Sequence, residues 1–158
     1  MKSIISLGLL FLLLASAGAS DFVDRAAFEI APGVKIVLRA SRFVPSKHTI
    51  RRVGGELLID GHQVFGVDGE APLTQLSEAY LLVNGRKIAL DTSCLYDPWF
   101  TSITRKSFGV SGGDAHHKPD AGHLNAVDAS FSNGAGAYRV EWNIVGGTSL
   151  RVKITSGY

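Results

Sequence analysis

The chain has 158 residues, 46% of them hydrophobic, and 16 Lys and Arg stand against 14 Asp and Glu. That length supports one domain with a core of its own, and a net charge of +2 excludes a general nucleic-acid binder, which carries a larger basic excess. A single cysteine, Cys94, excludes an internal disulfide, so the fold stands on packing alone.

The first predicted element is a signal peptide. Lys2 precedes an apolar run from Leu7 to Ala15, too short for a comfortable membrane span, and Ala17-x-Ala19 offers the small side chains a signal peptidase needs. Cleavage after Ala19 is expected, so residues 1–19 are the signal peptide and residues 20–158 a single β domain. That domain is exported, periplasmic or extracellular, with no integral membrane segment after cleavage. No Cys directly follows the apolar run, which excludes a lipid-modified N-terminus.

Eighteen glycines, short apolar runs and frequent turn signals predict an all-β chain. Strands are expected over 27–30, 35–42, 50–52 and 56–59. From Ile30 to Gly55 the chain carries six bases (Lys35, Arg39, Arg42, Lys47, Arg51, Arg52) and no acid. From Glu56 to Asp97 seven carboxylates face only Arg86 and Lys87. Strands of opposite charge neutralising each other on a solvated face explain this asymmetry; a basic patch for an anionic partner is the other reading. Between Asp60 and Glu70 the acids do not occupy the positions of an EF-hand loop, and Asp68-Gly69 reads as a turn. Over 73–83 the spacing of Leu73, Leu76, Tyr80 and Val83 allows a short helical turn before a strand at 80–83. Asn84-Gly85 then centres a hairpin, because that pair best tolerates a type I′ turn, and the return strand covers 87–91.

Cys94 reads as a small buried hydrophobe or an exposed thiol. Tyr96, Trp99 and Phe100 flank Asp97-Pro98 in what reads as a loop. Such aromatics either fold back as a lid on the core or anchor an interface. Gly109-Val-Ser-Gly-Gly113 matches G-x-S-x-G, but Gly-Gly-Asp-Ala-His-His-Lys-Pro after Ser111 cannot start the helix that a nucleophile elbow requires, so a glycine-rich loop is expected instead. Asp114, His116, His117, Asp120 and His123 are metal-preferring residue types without a standard spacing, and adjacent histidines point to opposite sides of an extended chain. The loop reads as solvated, or as a projecting recognition loop with His117 and Lys118 most exposed. Bacterial lysozyme inhibitors of the Ivy type carry a His-containing loop of this kind, braced by a cysteine pair that this chain lacks.

Strands at 127–131, 138–144 and 150–154 complete the chain. In the second, Tyr138, Val140, Trp142 and Ile144 alternate with Arg139, Glu141 and Asn143; in the third, Leu150, Val152 and Ile154 alternate with Arg151 and Lys153. A three-residue turn at Gly146-Gly147-Thr148 sets Ile144 opposite Leu150 and Glu141 opposite Lys153.

The segments Asp68-Gly-Glu-Ala-Pro-Leu-Thr-Gln-Leu76, Val83-Asn-Gly-Arg-Lys-Ile88, Leu90-Asp-Thr-Ser93, Tyr96-Asp-Pro-Trp-Phe100, Phe131-Ser-Asn-Gly-Ala-Gly-Ala-Tyr138 and Glu141-Trp142 resemble small exported bacterial proteins of uncharacterised function. The resemblance covers about half of the mature chain and implies no reaction, cofactor or site residue; an immunity-type role is an analogy of size and address.

Together these readings predict an antiparallel β-sandwich or partly open barrel of about eight strands. Its expected role is non-enzymatic protein binding, as an immunity protein or inhibitor of a secreted toxin or cell-wall hydrolase. The candidate partner-binding residues are Asp114, His116, His117, Lys118, Tyr96, Trp99 and Phe100, with no catalytic residue, metal or cofactor. The alternative is a carbohydrate- or cell-wall-binding module that stacks sugars on Trp99 and Phe100 beside the basic segment.

Overall fold

The computed structural model describes residues 22–113, 118–132 and 135–156; the predicted signal peptide lies outside them. The described residues are all-β. In chain order the strands are β1 (Phe22–Ala31), β2 (Val34–Arg42), β3 (Ile50–Val53), β4 (Glu56–Ile59), β5 (His62–Gln63), β6 (Thr74–Val83), β7 (Arg86–Leu90), β8 (Phe108–Ser111), β9 (Ala126–Phe131), β10 (Tyr138–Val145) and β11 (Thr148–Ser156). They form three antiparallel sheets, ordered β1-β2-β6-β7, β11-β10-β9-β8 and β3-β4-β5, and these do not close into a barrel.

Two-residue turns set most of the registers. At Gly54-Gly55, Asp60-Gly61, Asn84-Gly85 and Gly146-Gly147 both central residues have positive φ, the requirement of a type I′ turn whose twist matches the strands it joins. The Asn84-Gly85 hairpin is therefore the expected one. No helical turn forms before it: β6 runs as strand from Thr74, hydrogen-bonded between β2 and β7.

The buried core draws on both four-stranded sheets. Ile36, Leu38 and Ala40 of β2, Leu76, Ala79 and Leu81 of β6 and Ile88 and Leu90 of β7 join Val127, Ala129 and Phe131 of β9 and Tyr138, Val140 and Trp142 of β10. A second cluster, Phe43, Leu57, Ile59, Val64 and Tyr96, lies under the three-stranded sheet.

The last hairpin corrects the expected register. Its turn has two residues, so Val145 pairs with Thr148 and Ile144 with Ser149, not Leu150. A bulge at Val152 takes up the extra residue and restores Glu141 opposite Lys153 as expected. Side chains on either side of the bulge exchange faces. Ser149 and Arg151 point towards β7, where the Ser149 hydroxyl donates to the Ala89 carbonyl (2.5 Å) and Arg151 pairs with Asp91 (3.2 Å). Leu150, expected inside, is 66% exposed, and Val152 is exposed as well.

The basic and acidic stretches meet between β2 and β6. Arg39 of β2 lies opposite Glu78 of β6 at 3.0 Å, and Lys87 joins the same carboxylate at 2.6 Å. The Lys87 hydrogen bond is the main cause that holds the Glu78 carboxyl below its usual range.

Tyr138 is fully buried and stacked on Phe131 (5.1 Å between centroids), and its hydroxyl has no hydrogen-bond partner among the described residues. Burial first, and the Asp97 charge second, push its ionisation well above the usual tyrosine value; burial raises that of Tyr96 too. A neutral phenol favoured by folding stabilises the native state below the unfolded tyrosine value of about 10 and is lost as pH rises above it. Alkaline titration followed by tyrosinate absorbance is expected to show one tyrosine ionising only as the fold is lost, and Tyr138→Phe is expected to remove that step.

Candidate functional site

The candidate site grows from the segment after β7. Leu95, Tyr96, Pro98 and Phe100 are all buried, Leu95 and Phe100 in the main core and Tyr96 in the second cluster, edge-on to Phe43. Trp99 alone turns outward and is 52% exposed. Its φ and ψ, 46° and 63°, are left-handed, and its carbonyl accepts from the backbone and hydroxyl of Ser102, which fixes the short turn Phe100–Ser102 that follows.

Asp97 anchors this segment to the start of β6. Its carboxylate accepts from the Thr74 backbone (2.8 Å), the Thr74 hydroxyl (2.9 Å) and the Leu73 backbone (3.1 Å), while its own N–H donates to the Thr74 carbonyl. Burying a carboxylate is costly, and these charge-assisted donors offset that cost.

Around Trp99 and Asp97 opens a cleft of about 560 Å³, walled on one side by Gly66, Asp68, Glu70 and Leu73 and on the other by Ser132, Ala135 and Gly136. Tyr138 lies beneath it. A side-chain carbon placed on Gly66 would sit 2.8 Å from the Tyr138 ring, and the Tyr138 hydroxyl feels the Asp97 charge. Asp68 and Glu70 are exposed at the rim, and Arg52 donates to the Gly69 carbonyl between them.

Six described residues other than glycine have positive φ. Asp60 and Asn84 belong to hairpin turns, which explains them. Of the rest, Asp97, Trp99 and Ser132 all line this one cleft, and Cys94 precedes it. Left-handed backbone costs a non-glycine residue about 1–3 kcal/mol and clusters where geometry serves a function.

The sequence-predicted residues divide. Asp114, His116 and His117 lie outside the described residues. Lys118 is exposed, but its loop packs at the far end of the sheet: the Ala121 N–H donates to the Pro32 carbonyl, and a side-chain carbon placed on Gly33, in the turn into β2, would sit 3.1 Å from the Ala121 side chain. The cleft instead meets Thr74, where β2 ends. Eight residues of β2 lie between the two, roughly 25 Å of strand. Lys118 and Trp99 therefore occupy separate surfaces. Of the expected aromatic anchors, Trp99 is presented to solvent and Tyr96 and Phe100 are core residues.

Asp120 holds the Lys118 loop in a turn, accepting from the backbones of Gly122 and His123 and pairing with the His123 ring at 3.0 Å. Those contacts, the Gly122 hydrogen bond first, lower its pKa. Among the described residues no three His, Cys, Asp or Glu converge as metal ligands. Ser111 is exposed at the end of β8, in strand geometry and not in the expected glycine-rich loop. Cys94 is half-buried, and burial pushes its thiol pKa up, away from the reactive thiolate.

Asp68, Glu70, Asp97 and Ser132 were not singled out as site residues by sequence reasoning. Asp68-Gly-Glu70 drew notice as a poor calcium loop and a turn, and Asp97 as a neighbour of aromatics, all three within the acidic stretch. Comparison with protein families, with curated proteins and with solved structures finds no match to this chain.

Proposed function

We propose that this chain is a non-enzymatic binding protein that acts outside the cytoplasm, as an immunity protein or inhibitor. Its two four-stranded sheets pack as a β-sandwich, and the Trp99 cleft grips another exported protein, a toxin or a cell-wall hydrolase. The observation that carries this reading is Trp99 itself, half exposed on a segment whose neighbours Pro98 and Phe100 are buried. An indole so fixed loses little entropy on binding and presents the residue type most enriched in interface hot spots. Asp97 supports the reading as well. Its carboxylate is engaged by the backbone and Thr74, the position of a group that shapes a surface.

Inhibition follows from occlusion, with the Trp99 face covering the partner's active cleft. The protein recovered from its own compartment at moderate salt is expected to bring down one stoichiometric partner, inactive while bound. Trp99→Ala is expected to reduce that recovery at least about thirtyfold, the loss of a hot spot of about 2 kcal/mol, with the melting temperature nearly unchanged because an exposed side chain is removed. Undiminished recovery would remove the cleft from the reading. A saccharide platform is the second reading, favoured by the exposed indole beside a hydroxyl and carboxylates; retention on purified peptidoglycan that Trp99→Ala abolishes would establish it instead.

A further inference from the structure

We propose that the Trp99 cleft receives a cationic side chain, a lysine ammonium or an arginine guanidinium, projected by the bound protein. This inference rests on the protein-binding reading and names the chemistry of the contact.

The polar side chains of the cleft are chiefly acceptors. Asp68, Glu70 and Asp97 are carboxylates, and Ser132 is the hydroxyl among them. A ligand matched to them brings donors without acceptors, which describes an ammonium or a guanidinium. The aromatic wall points the same way, since tryptophan offers the strongest face for a cation. An acidic polymer meets three carboxylates here. A neutral sugar, which accepts as well as donates, finds few side-chain donors opposite among the described residues.

The molecule already builds this arrangement within itself. The Lys87 ammonium lies 4.1 Å from the centroid of the Tyr80 ring and 2.6 Å from Glu78. Arg39 stands over the Phe22 ring at 4.9 Å and pairs with the same Glu78 at 3.0 Å. In both, an aromatic face and a carboxylate hold one cation between them. Trp99 lines one cleft with Asp68, Glu70 and Asp97, so the same two kinds of group stand together there, with the indole half exposed to solvent.

The Asp97 carboxylate adds a geometric sign. Of its two oxygens, Oδ1 takes the short hydrogen bonds, whereas Oδ2 has a 3.3 Å approach from the Leu73 backbone. Oδ2 thus keeps acceptor capacity on a residue that lines the cleft. At the rim, the Arg52 guanidinium donates to the carbonyl of Gly69, the residue between Asp68 and Glu70 in the chain. The volume, about 560 Å³, lies within the usual range for ligand pockets of about 300–1,000 Å³.

The test titrates the whole protein with capped tripeptides, glycine-lysine-glycine and glycine-arginine-glycine, against glycine-glutamine-glycine and an N-acetylglucosamine trimer. Binding is read at the Trp99 indole N–H by NMR, with the buried Trp142 indole as internal reference. The cationic peptides are expected to shift the Trp99 signal saturably at low salt. Asp68→Asn with Glu70→Gln, both at exposed positions, is expected to weaken them roughly tenfold, and Arg52→Gln to tighten them. An equal response to the glutamine peptide or to the trimer, indifference to the charge-removing pair, or no saturable response would overturn the proposal. In partner recovery the two readings separate. If Trp99→Ala loses the partner and the charge-removing pair keeps it, the cleft stands and the cation falls; if both keep it, the cleft falls.

Discussion

Trp142→Ala is expected to lower the unfolding free energy by about 3–5 kcal/mol, the range for deleting a large aromatic from a packed core. Trp142 is fully buried on β10, between Val127 of β9 and Arg151 of β11. Its indole N–H also crosses to the other four-stranded sheet's end and donates to the Asp91 carbonyl at 3.0 Å, just past β7. Alanine therefore removes ring burial and leaves that carbonyl without its partner, a further penalty of about 1–3 kcal/mol where water cannot replace it. A domain of this size is stable by about 5–15 kcal/mol, so the loss is a large fraction of the whole. Urea unfolding followed by circular dichroism should show a lowered midpoint with the slope unchanged. A shift under 1 kcal/mol would mean that the two sheets are held together without this indole. Trp142→Phe separates the contributions, because it keeps most of the apolar contact and loses the hydrogen bond.

The position of Trp142 was legible in the sequence, and the reason is instructive. Tyr138, Val140 and Trp142 alternate without interruption, and the structure places all three inside. Where a bulge intervenes, alternation fails as a guide. In β6 the register moves from Arg39 opposite Glu78 to Ala40 opposite Leu76, so Ser77 is the extra residue and the inward positions become Leu76, Ala79 and Leu81. The spacing that allowed a helical turn, Leu73, Leu76, Tyr80 and Val83, shares only Leu76 with this inward set; Leu73 is exposed and Tyr80 takes the Lys87 ammonium on its ring. In β11 the bulge at Val152 brings Ser149, Arg151 and Ile154 inward by the same three-residue step. Local sequence does not announce such a step, because it serves the partner strand's pairing.

The candidate site shows a different limit. Tyr96-Asp97-Pro98-Trp99-Phe100 could be recognised as a candidate surface from its aromatics, but which ring faces outward depends on left-handed backbone angles, which a bulky aromatic such as Trp99 seldom adopts. With left-handed φ at Asp97 and at Trp99, the segment puts Phe100 into the core and Trp99 out of it. The carboxylates Asp68 and Glu70 and the hydroxyl Ser132 arrive from segments about 30 residues to either side, an association that only the assembled sheets create. The acidic stretch that looked like half of a neutralised surface thus supplies one wall of a cleft.

Gly66→Ala is the substitution by which fold and site are expected to fail together. Gly66 has φ of +97°, and a side-chain carbon there would lie 1.9 Å from the Tyr96 carbonyl oxygen and 2.8 Å from the Tyr138 ring. Backbone cannot yield as a flexible side chain does. The approach is close because residues 65 and 94–96 exchange hydrogen bonds, Phe65 N–H to the Cys94 carbonyl and Tyr96 N–H to the Phe65 carbonyl. Strained φ and overpacking each cost about 1–3 kcal/mol, so a loss of roughly 2–5 kcal/mol is expected. Gly69→Ala is the matched control: its φ is also positive, +72°, but nothing stands within 4 Å of the added carbon, and only the cost of the backbone conformation, about 1 kcal/mol, is expected. Pushing the Tyr96 carbonyl displaces the residue joined to it, Asp97, and with Asp97 the turn that presents Trp99. The Trp99 indole resonance is therefore expected to move in Gly66→Ala and to stay in Gly69→Ala under conditions where both remain folded. Equal stability of the two variants, or an unmoved Trp99 signal in the first, would show that the cleft does not depend on this contact between backbones.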